Sequence, residues 1–179
     1  MRAFLALPVP DATAGALVAL QAALPFGRPV PEENLHLTLA FLGDVPGAVL
    51  EALDEELSLA RLPAPGIGFT RLGTFAEIER GLIFAEVETT PVLSALQARV
   101  ASAARAAGAH LPRRRFRPHV TLMRAGRQPR GPARDRVAAA LGMPCDVPGF
   151  VAERVVLYAS HLGPDGAVHE ALADYPLAV

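Results

Sequence analysis

Apolar and polar residues recur along the chain at the two spacings that predict strands and helices. Short alternating or apolar runs bounded by glycine and proline predict strands, over 2–7, 35–42, 66–72, 82–88, 119–123, 150–160 and 167–173. Runs with apolar residues every three or four positions predict helices, over about 12–24, 47–60, 92–107 and 132–141. This order predicts an α+β fold rather than a wound α/β sheet.

Two of the predicted strands carry the same short motif. One reads HLTL from His36 and the other reads HVTL from His119. Because side chains alternate between the two faces of a strand, each motif places a threonine beside its histidine, Thr38 in the first and Thr121 in the second. The residues of the opposite faces are expected to be buried, and these are Leu35, Leu37, Leu39, Phe41, Val120 and Leu122.

The two motifs fall in different halves of the chain, and each half contains both helices and strands. No low-complexity linker and no abrupt change of composition separates the halves. We therefore expect residues 1–179 to form one domain of two similar, pseudo-symmetric lobes, each contributing one histidine strand.

The composition excludes several classes of site. The chain has 179 residues, a net charge of -1 and 51% hydrophobic residues, which is typical of a globular protein. Its lone Cys145 excludes an internal disulfide and a multi-cysteine metal cluster. All 17 basic residues are arginines, which excludes a lysine nucleophile, a lysine Schiff base and a P-loop. No apolar run approaches a membrane span and the opening segment is too short for a secretory signal, so we expect a cytoplasmic protein.

Positive charge is concentrated in one part of the chain. Nine arginines but only one acidic residue, Asp135, fall between residues 113 and 136. Arginine binds phosphate with two parallel hydrogen bonds, so this patch suits phosphates. A solvated loop and helix would have the same composition, and both interpretations stay open. The arginines closest to the second motif are Arg113, Arg114, Arg115 and Arg117.

The paired motifs favour acid–base chemistry at a phosphate. Imidazole titrates near neutral pH, so one histidine can act as a base while the other acts as an acid. Neither threonine has a base beside it in sequence, which makes both hydroxyls donors to an anion rather than nucleophiles. Hydroxyls and arginines around a phosphodiester would stabilise the charge that grows on its oxygens during in-line displacement.

A zinc site is the competing interpretation of the two histidines. A catalytic zinc usually needs a third protein ligand, and the motifs offer threonine where aspartate, glutamate or cysteine would be required. We therefore expect no metal. The remaining histidines, His110, His161 and His169, lack the motif and are expected to be surface or structural residues.

The segments ENLHLTLAFLGDV and FRPHVTLMR resemble the two-histidine (2H) phosphoesterase superfamily, whose members carry two His-x-Thr/Ser-x motifs. Within it, the chain looks like the bacterial and archaeal RNA 2′,3′-cyclic phosphodiesterases, long called 2′-5′ RNA ligases. The opening RAFLAL and the closing LYASHLGPDGAVHEAL extend the resemblance over nearly the whole chain. It implies a bilobal duplicated α+β fold in which two antiparallel sheets line a central cleft and helices lie outside.

The resemblance implies hydrolysis of a terminal 2′,3′-cyclic phosphate on RNA, tRNA fragments among the candidates, to a 2′-phosphate without a cofactor. With an RNA 5′-hydroxyl as nucleophile, the same chemistry joins ends through a 2′-5′ linkage without ATP. Carried over, His36 is the proton donor to the leaving sugar oxygen and His119 is the base that activates water. Thr38 and Thr121 hold phosphate oxygens, and Arg124 contacts a phosphate or forms a structural salt bridge. With RNA as the substrate, the arginines before the second motif, Arg113, Arg114, Arg115 and Arg117, are predicted to contact the RNA strand. No obligate protein partner is implied.

The chain departs from the usual family pattern in two places. Related sequences often carry a tryptophan in the middle segment, which reads FAEIERGLIFAEVE here, and often a tyrosine where this chain has His169. Either residue could line the nucleotide pocket, so the base preference stays open. Two further hypotheses also stay open: a phosphodiesterase for a small nucleotide such as an ADP-ribose-derived cyclic phosphate, and a non-catalytic RNA-binding module.

Overall fold

The structure is a computed structural model that describes residues 1–24, 27–74, 82–112, 115–124, 129–163 and 166–178. Strands and helices are mixed along the chain, which confirms the predicted α+β class. The strands are β1 (Arg2–Pro8), β2 (Arg28–Pro29), β3 (His36–Asp44), β4 (Gly66–Ile67), β5 (Phe69–Gly73), β6 (Leu82–Val87), β7 (His119–Arg124), β8 (Phe150–Val151), β9 (Arg154–Gly163) and β10 (Gly166–Pro176). The helices are α1 (Asp11–Ala22), α2 (Gly47–Leu59), α3 (Pro91–Ala106) and α4 (Pro132–Ala140), with a 3₁₀ turn at Glu32–Asn34.

One antiparallel sheet dominates the described residues. Its strands run in the order β10-β9-β1-β3-β7-β6-β5, and β2 also pairs with β7, while β4 and β8 form a separate two-stranded sheet. The two halves of the large sheet are joined between β3 and β7 through one residue pair, Leu37 with Val120. The two sheets that the resemblance implies are therefore two halves of one sheet with a narrow junction. Both histidine motifs lie at that junction.

The core lies on the side of the sheet that faces away from the histidines. Leu37, Val120 and Leu122 of the two motif strands are fully buried, as the alternation predicts. They belong to one hydrophobic core with the buried side chains of the helices, which include Leu17, Leu53, Leu57, Leu93, Leu96 and Val137. Packing of this kind fixes the motif strands from behind, since interiors are close-packed and resist displacement.

The prediction that Phe41 is buried with the leucines of its strand is wrong. The register between β1 and β3 shifts twice, between Ala3 and Phe4 and between Leu5 and Ala6. Each shift inserts an extra residue into β3, and a bulge of this kind changes the face on which later side chains lie. Leu39 and Ala40 are consequently both buried, and Phe41 is 58% exposed.

Other elements differ from the sequence prediction in their limits. The strand expected over 66–72 is interrupted at Gly68, because β4 pairs with β8 whereas β5 pairs with β6. The segment expected over 150–160 is likewise divided between β8 and β9. The two-residue β2 and the 3₁₀ turn are too short to produce a sequence pattern. Among the described residues, no helix combines the length and the hydropathy needed to cross a membrane.

Candidate active site

His36 begins β3 and is held by its own main chain. Its Nδ1 lies 2.7 Å from the carbonyl oxygen of Asn34. A carbonyl can only accept, so Nδ1 carries the hydrogen and the neutral ring has its lone pair on Nε2. The side chain of Asn34 in turn donates to the carbonyl oxygen of Ala167, 2.9 Å away, which ties this turn to β10. His36 thus presents Nε2, the atom that can accept or donate a proton, from a fixed backbone.

His119 begins β7 and is held in the same way. Its Nδ1 lies 2.7 Å from the carbonyl oxygen of Arg117. Arg117 precedes His119 by two residues, just as Asn34 precedes His36. The same argument places the hydrogen on Nδ1 and leaves Nε2 for chemistry. The sequence motif alone does not specify these hydrogen bonds, and their repetition makes the two histidines equivalent in orientation as well as in sequence.

Each histidine also rests on a buried phenylalanine from a neighbouring strand. The ring centroids of Phe4 and His36 are 4.9 Å apart, and those of Phe84 and His119 are 4.9 Å apart as well. Phe84 fits because residue 73 is glycine: a Cβ there would lie 2.7 Å from the Phe84 ring. The two phenylalanines were not singled out by the sequence, since an isolated apolar residue carries no signal for a site.

The threonines lie where the motif predicts. Thr38 and Thr121 are partly exposed and line the same cleft as the two histidines. Since the central residues of the motifs pair in antiparallel fashion, the positions on either side of that pair lie opposite each other. His36 is thereby opposite Thr121, and Thr38 is opposite His119. Two imidazoles and two hydroxyls surround the junction of the sheet halves.

The electrostatics of the cleft keep both histidines neutral at pH 7. Burial lowers the pKa of His36 to about 4, helped by the nearby charges of His169, Arg124 and His119. Burial also lowers the pKa of His119, helped by Arg117 and Arg124. The hydrogen bond from each Nδ1 opposes the shift without cancelling it. The charged forms of both imidazoles are therefore disfavoured in the protein without a ligand.

The arginines predicted to contact RNA have different surroundings. Arg115, Arg117 and Arg124 all line the cleft, whereas Arg113 and Arg114 lie outside the described residues. Of these three arginines, Arg124 is the one whose charge helps to lower the pKa of both motif histidines.

Arg117 belongs to a small ion cluster on the rim of the cleft. Its guanidinium lies 3.5 Å from a carboxylate oxygen of Glu86 and 5.3 Å from the centre of the Phe84 ring. Glu86 also binds Arg71 at 2.7 Å, and the pKa of the Glu86 carboxyl is lowered chiefly by that hydrogen bond. Through Arg117, this cluster contacts the chain two residues before His119.

His169 lines the cleft, whereas its lack of the motif predicts a surface or structural role. Its ring centroid lies 5.4 Å from that of His36. It also packs edge-on against Phe4 at 4.8 Å. Burial and the charge of Arg124 lower its pKa. The departure from tyrosine at this position was the only sequence signal, and it pointed to the pocket. The other two histidines, His110 and His161, are exposed.

The described residues contain no group of three or more histidine, cysteine, aspartate or glutamate side chains placed to hold a metal ion. Cys145 is buried and away from the cleft lining, and burial raises its pKa to about 11. The groups at the junction are two imidazoles, two hydroxyls and guanidinium groups. The hydroxyls and guanidinium groups can donate hydrogen bonds to the oxygens of a phosphate.

Comparisons with known proteins agree with the motif. A family model described as the 2′-5′ RNA ligase superfamily matches residues 9–163. An RNA 2′,3′-cyclic phosphodiesterase from Thermus thermophilus is 35% identical over 197 aligned positions, covering 99% of this chain and 90% of the relative. A protein of the same name from Geobacillus stearothermophilus is 34% identical over 157 residues, covering 86% of this chain and 49% of the relative. The chain spans about half the length of the latter relative.

Solved structures share the whole fold. The crystal structure of TT0787 from Thermus thermophilus superposes with a TM-score of 0.81 at 27% identity, covering 99% of this chain and 98% of that one. Escherichia coli LigT complexed with NADP+ gives a TM-score of 0.81 at 26% identity with the same coverage. Together with the family model, which matches most of the chain and includes both histidine motifs, these likenesses lead to one conclusion. The chain belongs to the 2′-5′ RNA ligase superfamily of 2H phosphoesterases.

Proposed function

We propose that this protein hydrolyses the 2′,3′-cyclic phosphate at the end of an RNA to a 2′-phosphate, by metal-independent acid–base catalysis between His36 and His119. The observation that carries the proposal is the matched anchoring of the two imidazoles, each with Nδ1 2.7 Å from the carbonyl oxygen two residues earlier. The names of the Thermus and Geobacillus relatives support the substrate class. The two lobes then act as one catalytic unit of residues 1–179, each supplying half of the site.

The proposed reaction adds one water molecule across one P–O bond. Nε2 of His119 takes a proton from water as the water oxygen bonds to phosphorus. The bond between phosphorus and the 3′-oxygen breaks, and Nε2 of His36 gives that oxygen a proton. The products are a 2′-phosphate and a free 3′-hydroxyl, with His119 protonated and His36 neutral, and exchange with solvent restores the starting state. Each proton transfer contributes typically about 10²–10⁴-fold to the rate.

Because the pKa of His36 is low, the proposed reaction requires the substrate to raise it. With a pKa of about 4, His36 is neutral in the free protein and cannot donate a proton at pH 7. A bound cyclic phosphate carries a negative charge, which favours the charged imidazolium and raises the pKa. His119 must stay neutral in the same complex, and Arg117 and Arg124 beside it oppose its protonation. The assignment of donor and base thus depends on where the anion lies between the rings.

Hydroxyls and a guanidinium complete the proposed site. Thr38 and Thr121 donate to the non-bridging oxygens of the phosphate, and Arg124 neutralises the charge that grows on them in the transition state. With an RNA 5′-hydroxyl in place of water, the same proton transfers form a 2′-5′ linkage and release a 3′-hydroxyl. No nucleotide cofactor enters either direction.

The dimensions of the cleft favour an RNA over a small cyclic nucleotide. The cleft has a volume of about 2040 Å³, whereas pockets for small ligands usually fall at roughly 300–1,000 Å³. Arginines line it beyond the junction of the sheet halves, among them Arg28, Arg105 and Arg115. Several phosphates contacted at once would make binding weaken with salt.

The test is conversion of an RNA ending in a 2′,3′-cyclic phosphate, in EDTA, between pH 5 and pH 8. We expect a 2′-phosphate product, identified by phosphorus NMR, and weaker turnover of a mononucleoside cyclic phosphate. Absence of conversion at every pH contradicts the proposal and leaves a non-catalytic RNA-binding module. Conversion that EDTA abolishes would restore the metal hypothesis. Equal or better turnover of an ADP-ribose-type cyclic phosphate would make the small nucleotide the substrate.

A further inference from the structure

His169 is a third imidazole in the cleft, and it lies on the strand at the edge of the large sheet. In β10 it pairs with Ser160 of β9, and both residues line the cleft. Its ring packs edge-on against that of Phe4, with centroids 4.8 Å apart and an interplanar angle of 77°. The ring of His36 is 5.4 Å away, at an angle of 84°. Two neighbouring rings therefore fix the plane of the His169 imidazole beside the proposed proton donor.

The surroundings of His169 decide which of its ring nitrogens carries the hydrogen. Its Nδ1 is enclosed and has no hydrogen-bond partner among the residues that the structure describes. The ring as a whole is only partly buried and lines the cleft, so Nε2 is the nitrogen that faces the cleft. A neutral imidazole has a single N–H, and a buried N–H without an acceptor is rare in proteins. The hydrogen therefore belongs on Nε2, where water or a ligand in the cleft can accept it.

His169 thereby differs from the two motif histidines. His36 and His119 hold their hydrogens on Nδ1, against main-chain carbonyl oxygens, and present lone pairs at Nε2. The Nδ1 of His169 has no such carbonyl, and this ring presents an N–H. Of the three neutral imidazoles, His169 is thus the one that can donate a hydrogen bond to an anion without first taking up a proton.

The neighbours of His169 indicate a phosphate as the ligand of this N–H. Arg124 lies near enough to both His36 and His169 for its positive charge to lower the pKa of each. An anion attracted to that guanidinium therefore has both imidazoles beside it. The two imidazoles are also in edge-on contact, so no base fits between them. The ligand group that reaches both rings must be as small as a phosphate.

We propose that His169 donates a hydrogen bond from Nε2 to a non-bridging oxygen of the phosphate that lies at His36. This inference rests on the proposed function and adds a phosphate-binding residue to it. A hydrogen bond to a charged oxygen is roughly twice as strong as one between neutral groups. His169 thereby stabilises the anion, while the proton that His36 takes up is kept for the leaving sugar oxygen.

The experiment compares His169→Phe, which keeps a planar ring without an N–H, with His169→Gln, which keeps an N–H donor. The affinities for inorganic phosphate and for adenosine 2′-monophosphate are measured at pH 7, since the proposed reaction consumes neither ligand. His169→Phe should weaken the binding of both by about 10-fold to 150-fold, the range for a hydrogen bond to a charged group. His169→Gln should recover most of that loss.

His110→Phe is the matched control, because His110 is an exposed histidine outside the cleft lining. It should leave both affinities unchanged. Equal affinities of the wild type and His169→Phe for inorganic phosphate would overturn the inference. A loss confined to the nucleotide would overturn it as well, since His169 would then contact the nucleoside. Equal losses for the phenylalanine and glutamine variants would show that the N–H is not what the phosphate requires.

A second measurement separates this inference from the proposed function. Long-range proton–nitrogen NMR spectra report which ring nitrogen of a neutral histidine carries the hydrogen. We expect it on Nε2 in His169 but on Nδ1 in His36 and His119, and added phosphate should shift the Nε2 resonance of His169. If the wild type hydrolyses no cyclic phosphate but these results hold, the proposed reaction fails and the phosphate donor stands. A hydrogen on Nδ1 of His169, or no shift with phosphate, overturns the inference whatever the activity.

Discussion

Replacing His36 with asparagine should make the protein more resistant to acid than the wild type. Burial lowers the pKa of His36 from 6.5 to about 4 in the folded protein. Between these values the unfolded chain binds a proton that the folded chain does not, so stability falls as the pH falls through this window. Each unit of difference between the two pKa values corresponds to about 1.4 kcal/mol, so the proton taken up by His36 in the unfolded chain lowers the free energy of unfolding by about 3 kcal/mol at pH 4. Asparagine keeps a donor near Nδ1 but cannot titrate.

The assay is urea unfolding of both proteins at intervals from pH 7 to pH 4. The difference between their free energies of unfolding should be constant above about pH 6.5 and should then change by about 3 kcal/mol in favour of the variant as the pH falls. Carboxylates and the other histidines titrate in both proteins, and their effects cancel in the difference. Parallel stability curves down to pH 4 would refute the burial argument for His36.

The same residue can be followed directly by NMR. The ring protons of His36 should titrate with a midpoint near 4 in the free protein. Because an anion favours the charged imidazole, a bound nucleotide 2′-phosphate should raise that midpoint. A midpoint that does not move on binding would contradict the role of His36 as the proton donor.

Four further substitutions, one of them a control, test the packing, hydrogen bonding and charge around the site. Gly73→Ala places a Cβ 2.7 Å from the ring of Phe84 and should lower the free energy of unfolding, measured with urea, by roughly 1–3 kcal/mol. Gly15→Ala in α1 is the control: its Cβ would meet no atom within 4 Å, so this variant should have a higher free energy of unfolding. Asn34→Ala removes a 2.9 Å hydrogen bond between the turn before β3 and β10, which should cost about 0.5–1.5 kcal/mol by the same measurement. Arg124→Gln should lower kcat by about 10²–10³-fold and reduce the salt dependence of RNA binding by about one phosphate contact. An unchanged kcat would show that Arg124 does not contact the reacting phosphate.

The local pattern of apolar and polar residues predicts most of the helices and strands. It also predicts that each motif histidine lies beside a threonine on one face of its strand. The alternation around His36 and His119 depends only on the period of a strand, so the buried leucines and the cleft-facing threonines follow from the sequence. The helix α3 begins at Pro91 and ends before Gly108, which has a φ of 94°, as the capping signals predict.

The features that the sequence does not predict depend on pairing between strands that are far apart in the chain. The position of Phe41 is set by bulges in its register with β1, and no local signal marks them. His169 reaches the cleft because β10 pairs with β9 and β9 with β1, which brings it over Phe4. The single junction between β3 and β7 is also non-local, since it depends on where the two halves of the sheet diverge.

The most direct test of the paired-histidine account is the rate of cyclic phosphate hydrolysis by His36→Asn, His119→Asn and the double variant, measured in EDTA under single-turnover conditions. Each single variant should lose about 10²–10⁴-fold, because each removes one of two proton transfers. The double variant should lose much less than the product of the two single losses, since residues that act as a unit are not additive. A single variant that keeps most of the wild-type rate while folded would contradict the account.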